Sequence, residues 1–110
     1  IERYRTLAKE AEERFKALGL ANITQMVGDG YKGWPKQAPF DRIIVTAAAR
    51  EVPQALADQL AIGGIMIIPL EEGLMHQELV RVTRDEKSFT HERLLPVRFV
   101  PLVEGVARES

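Results

Sequence analysis

Between residues 4 and 18 the apolar positions are Tyr4, Leu7, Ala8, Ala11, Phe15 and Leu18. This i, i+3, i+4, i+7 spacing marks one face of an α-helix. Arg5, Lys9, Glu12, Glu13 and Lys16 fall on the other side, and Gly19 suits the left-handed position just past a helix end. An amphipathic helix is therefore predicted. The pattern then changes. Residues 23–27 form a short β-prone run ending at Gly28-Asp29-Gly30, and residues 31–39, with Gly33 and Pro35, read as a loop. Ile43-Ile44-Val45-Thr46 is nearly all β-branched, which predicts a strand buried on both faces, as in parallel sheets. Residues 53–60 predict a compact helix with Pro53 near its first turn, stopped by Gly63-Gly64. Ile65-Met66-Ile67-Ile68 predicts a second buried strand, ended by Pro69. Beyond it, Leu79 to Thr83, a polar turn at residues 84–87 and Phe89 to Leu94 predict a hairpin. A last strand is expected over residues 97–100, ended by Pro101.

Alternating α and β elements followed by antiparallel strands imply an α/β fold of Rossmann-like type, with a parallel sheet covered by helices and antiparallel strands at the carboxyl end. A doubly wound sheet usually begins with a strand and a glycine-rich ligand turn. No G-x-G-x-x-G occurs here, and Ile1-Glu2-Arg3 leads straight into a helix without an initiator Met. The expectation is the back half of such a domain, residues 1–110 being the carboxyl-terminal part cut from a longer protein.

Composition narrows the class. A length of 110 residues allows one domain at most, and 45% apolar with 28% charged residues is a globular rather than a disordered balance. Fifteen Lys and Arg against sixteen Asp and Glu give no field that would favour nucleic acid or an anionic membrane. The longest apolar run, residues 65–70, is too short to span a bilayer, and no secretory signal pattern opens the chain. With no Cys there is no disulfide, thiol nucleophile or thiolate metal site, which fits a cytoplasmic location.

Ligands of open α/β sheets gather at the carboxyl ends of strands, and three segments stand at such places. Glu2 is placed to accept hydrogen bonds from ribose hydroxyls, or is an ordinary acid favoured by a helix dipole. Gly28-Asp29-Gly30 lets a ligand approach the backbone while the carboxylate accepts from an amino group, or is a plain Asp-Gly turn. Thr46-Ala47-Ala48-Ala49 leaves room for a substrate, or permits tight packing of the next helix. Other chemistries fail on their residues. Neither Ser88 nor Ser110 sits in a G-x-S-x-G elbow, and His91-Glu92 lacks the second His of a zinc-protease helix. His76 and His91 read as surface residues; Trp34 and Tyr31 either stack on a base or tether a loop.

Taken in order, Val27-Gly28-Asp29-Gly30, Gly33-Trp34, Ala38-Pro39-Phe40-Asp41-Arg42-Ile43-Ile44-Val45-Thr46-Ala47-Ala48, Val52-Pro53-Gln54-Ala55-Leu56, Gln59-Leu60, Gly63-Gly64 and Arg98-Phe99-Val100-Pro101-Leu102 resemble the protein-L-isoaspartate O-methyltransferases. The similarity is collinear over essentially the whole chain, and Phe-Val-Pro-Leu is its most specific part. Leu70-Glu71 after Pro69, and Arg50, depart from the usual family residues. The resemblance implies a seven-stranded methyltransferase fold using S-adenosylmethionine, acting on isoaspartyl peptides and proteins. It implies cofactor contacts at Glu2, Gly28, Asp29 and Gly30, and substrate contacts at Thr46, Ala47, Ala48, Val100, Pro101 and Leu102. The family's first glycine-rich loop and its substrate-facing hydroxyl residue have no counterpart here, so no catalytic residue and no metal site is expected in this chain. Two other readings stay open: a non-catalytic α/β interaction module, and another nucleotide-binding Rossmann enzyme. The isolated chain is expected to be inactive and to self-associate through an exposed sheet edge.

Overall fold

A computed structural model describes residues 1–109. The chain forms two compact units, Ile1–Gly30 with Val103–Ser110, and Tyr31–Leu102.

The first unit is built on helix α1, Arg5–Ala17. Its end follows the predicted stop. Gly19 adopts φ 70°, the Gly19 N–H donates to Lys16 O at 3.1 Å, and the Leu20 N–H donates to Phe15 O at 2.9 Å. These two bonds satisfy carbonyls that every helix end leaves open. At the start, Glu2 Oε2 accepts from the Arg3 and Tyr4 N–H groups at 2.8 and 3.2 Å. Glu109 accepts from the Arg5 and Thr6 N–H groups at 3.0 and 3.1 Å. The apolar stripe of α1 is covered only in part: Ala8 is buried, Ala11 and Phe15 are half-buried, and Leu7 and Leu18 are exposed. The strand expected at residues 23–27 is not formed. Val27 makes a single parallel bridge to Glu2, through Glu2 N–H to Met26 O and Gly28 N–H to Glu2 O, both 3.0 Å. A ladder needs an extended neighbour, and among the described residues this segment pairs only through the bridge to Glu2.

The second unit is a four-stranded sheet in the order β1-β2-β3-β4, with β1 Phe40–Ile44, β2 Leu60–Glu71, β3 Gln77–Arg84 and β4 Phe89–Pro96. β1 runs parallel to β2, and the other two pairings are antiparallel. Helix α2, Gln54–Asp58, connects β1 to β2 and contributes Leu56 and Ala57 to the core. Met66 faces Val82 and Ile68 faces Val80 across the β2–β3 ladder, and these four with Ala49 and Leu60 complete the core. Burial of each such large side chain stabilises by about 1.5–3 kcal/mol. The predicted hairpin is β3–β4.

Three expectations within this sheet change. Ile43 and Val45 are half-buried while Ile44 is 74% exposed, so the β-branched run is covered in part on one face rather than buried on two. Gly63-Gly64 does not stop α2 but lies inside β2. There Gly63 has φ 83°, and the pairing shifts between Phe40↔Leu60 and Arg42↔Ile65. A Cβ on Gly64 would lie 2.8 Å from Ala61 O and 3.1 Å from Phe40 O, so this bulge requires a bare backbone. Pro69 does not end β2. Its carbonyl accepts from the Ala49 N–H at 3.0 Å, and a strand residue's N and O point to the same side. The missing N–H therefore faces the side on which β1 has already ended.

Candidate functional site

The candidate residues form two groups, one in each unit. In the first, the Glu2–Val27 bridge sets Glu2 beside the chain that continues into Gly28-Asp29-Gly30. Glu2 and Asp29 are half-buried, and Gly30 opens a 3₁₀ turn, Gly30–Lys32. One Glu2 oxygen accepts from the Arg3 and Tyr4 N–H groups, which lie ahead of α1, so Glu2 is not an acid of the helix's first turn. Neither Gly28 nor Gly30 is among the glycines with positive φ, so their backbone conformation does not demand glycine. A Cβ on Gly28 would meet first the flexible Met26 methyl, at 3.3 Å. What the group offers is two carboxylate acceptors and a loop that keeps two bare backbone positions. Such a set takes hydroxyl and amino donors.

In the second group, Ala48 joins the two substrate segments. Its N–H donates to Val100 O at 2.7 Å, its carbonyl accepts from Leu102 N–H at 2.8 Å, and it bridges in parallel to Pro101. Ala48 and Ala49 are buried, as the packing reading of the small-residue run anticipates. Thr46, Val100 and Pro101 are exposed, while Ala47 and Leu102 are half-buried. The strand expected over residues 97–100 is absent as a ladder. Its backbone is held instead by Ala48 and by Gln77, whose amide accepts from the Phe99 N–H at 2.7 Å and donates to Phe99 O at 3.1 Å.

Sequence reading passed over Gln77 and gave Gln59 no role beyond its place in the Gln59-Leu60 motif. The Gln59 amide accepts from the Trp34 N–H and donates to Lys32 O, both at 2.8 Å, and a Cβ on Gly33 would run into it. Residues 31–34 are thus tethered through the backbone, and Tyr31 OH reaches Leu102 O at 3.4 Å. No local sequence signal marks these hydrogen bonds, because the partners lie more than 20 residues away. His76 and His91 are exposed, as expected. Among the described residues no cluster of His, Asp and Glu could hold a metal ion, and no helix is long and apolar enough to cross a membrane.

The protein family described as Protein-L-isoaspartate(D-aspartate) O-methyltransferase (PCMT) matches residues 1–107. This chain belongs to that family. A protein-L-isoaspartate O-methyltransferase of Parvibaculum lavamentivorans is 60% identical over 112 residues, taking in 100% of this chain and 50% of the relative. One from Ignicoccus hospitalis is 54% identical over 104 residues, 94% of this chain and 49% of the relative. The chain spans about half the length of these curated relatives. A solved protein-L-isoaspartate O-methyltransferase superposes with a TM-score of 0.81 at 31% identity, covering 88% of this chain and 31% of its own. A candidate PCMT of Plasmodium falciparum, in complex with S-adenosyl-L-homocysteine, gives a TM-score of 0.80 at 32% identity over 93% of this chain and 50% of its own. The expected Rossmann-like methyltransferase fold is therefore present, and this PCMT chain is its carboxyl-terminal half.

Proposed function

We propose that this chain is the carboxyl-terminal half of a cytoplasmic enzyme that methylates the carboxyl group of L-isoaspartyl residues in damaged proteins. The family match over residues 1–107 carries the reading. The local geometry supports it, because the Glu2–Val27 bridge sets a carboxylate beside the glycine loop. The acceptor set fits S-adenosylmethionine: Glu2 would accept from ribose hydroxyls, Asp29 would accept from the adenine amino group, and Gly28 and Gly30 would keep the loop bare. When bound, the cofactor supplies an activated methyl group and its own leaving group. The chain's part is binding and orientation. Thr46, Ala47 and the Ala48-anchored Val100-Pro101-Leu102 segment hold the peptide and exclude water. An isoaspartyl carboxyl, with an ordinary pKa of about 4, is already ionised at neutral pH, so no residue of this chain needs to take its proton. Neither nucleic acid nor membrane enters this reading.

Transfer of labelled methyl groups by the full-length protein tests it. L-isoaspartyl peptides should be labelled and their aspartyl counterparts left nearly untouched; equal labelling of the two would overturn the specificity. The 110-residue chain alone should neither bind S-adenosylmethionine nor methylate. Its β1 edge, with Ile44 exposed, should pair with a second copy. Light scattering and hydrogen exchange check this, and a protected monomer would refute it.

A further inference from the structure

We infer that Gln77 is a positioning residue that presents Val100-Pro101-Leu102 to the peptide substrate. The inference rests on the reading that this segment lines the peptide site. Gln77 opens β3, and three of its polar groups hold the returning chain: its backbone carbonyl accepts from the Val97 N–H at 3.1 Å, and its side-chain amide both accepts from and donates to Phe99. From the other side Ala48 holds Val100 O and Leu102 N–H. Residues 97–102 are therefore fixed like an extended strand whose neighbour is, for one residue, a side chain. β4 ends at Pro96, so no ladder exists there to do this. A primary amide is the side-chain group that reproduces a peptide's paired donor and acceptor. Glu has the reach without the donor, and Met has the length with neither. While the backbone is held, Val100 stays 69% exposed, open to a ligand.

The test uses the full-length protein with Gln77→Glu and Gln77→Met, reading peptide KM, kcat and cofactor Kd. Gln77→Met loses two hydrogen bonds and should raise the peptide KM about tenfold, leaving kcat and cofactor Kd within about twofold. Gln77→Glu sets a carboxylate oxygen, which cannot donate, against the Phe99 carbonyl and should raise the peptide KM at least as much. Hydrogen exchange at the Phe99 amide reads the clamp independently of activity: protected in the wild type, exposed in Gln77→Met. An unchanged peptide KM in both variants, or a cofactor Kd that rises in step with KM, overturns the inference. If Gln77→Met does not fold, Gln77→Glu decides by the same criteria. A wild type unable to methylate isoaspartyl peptides overturns the functional reading instead, and is distinguished by being seen before any substitution is made.

Discussion

The two units of this chain are stabilised by different means. In Tyr31–Leu102, Leu60, Met66, Ile68 and Val82 lie wholly out of water on the adjacent strands β2 and β3. In the other unit the buried apolar residues are Ala8 and Ala107, while Ile1, Leu7 and Leu18 are exposed. Polar bonds do the joining there. Arg3 O accepts from the Ala107 N–H at 2.8 Å, the Arg3 guanidinium donates to Gly105 O at 3.1 Å, and two carboxylates serve the start of α1. A hydrogen bond contributes about 0.5–1.5 kcal/mol net, less than a buried large side chain. The sheet unit should therefore hold most of the stability and tolerate least truncation. The helix unit holds the candidate cofactor residues on contacts that are easily weakened.

The largest effect expected from this contrast is in the core. Met66→Ala or Ile68→Ala should destabilise by about 2–5 kcal/mol, through lost burial and the cavity left behind. Leu7→Ala, on the exposed stripe of α1, should change stability by less than about 0.5 kcal/mol, since Ala is also the better helix former. Denaturant unfolding of the full-length protein measures all three. Equal costs for Leu7→Ala and Met66→Ala would break the contrast and show that the full-length protein covers α1.

A functional version follows. Asp29→Ala alters the helix unit and should weaken S-adenosylmethionine binding by about tenfold to a hundredfold, the loss of one charge-assisted hydrogen bond worth about 1.5–3 kcal/mol. The peptide KM should stay near the wild-type value, the reverse of the Gln77 variants. Calorimetry showing unaltered cofactor affinity would return residues 28–30 to a plain turn.

The sequence was legible where local pattern and burial agree. Helix α1 and its Gly19 stop, the β3–β4 hairpin and the α2 start at Pro53 all stand where periodicity and turn residues put them. It misled where a strand's state depends on its neighbours. Residues 23–27 and 97–100 have strand composition, yet Val27 finds one bridge and Phe99 a side chain. Residues 43–46 have the composition of a strand covered on both faces, but Ile44 is exposed. β-propensity describes how well a side chain suits a pleated surface; it does not supply the partner. The candidate site was legible through family-like motifs. The amides of Gln59 and Gln77 were not, because their hydrogen bonds join segments 22–27 residues apart.

The smallest expected effect concerns the polar clasp on α1. Glu109 holds its carboxylate across the first turn, taking the Arg5 and Thr6 N–H groups. Its pKa is lowered first by a hydrogen bond from the Thr6 side chain and then by the Thr6 N–H; desolvation opposes these, and the Arg5 N–H and charge add to the lowering. Negative charge at a helix start is favoured by the exposed N–H groups there. A carboxyl with a lower pKa folded than unfolded contributes stability that is complete above the unfolded value. That contribution is lost as pH falls through the folded value. The group is fully exposed, so salt should diminish the effect. Carboxyl titration by NMR should give Glu109 a lower midpoint in the folded full-length protein than in the denatured chain. Glu109→Gln should remove the matching acid-side slope in stability while leaving the response to Met66→Ala unchanged. Coincident folded and denatured midpoints would mean that Glu109 does not clasp α1. Residues 103–109 would then be joined to the helix unit through the Arg3 bonds to Gly105 and Ala107.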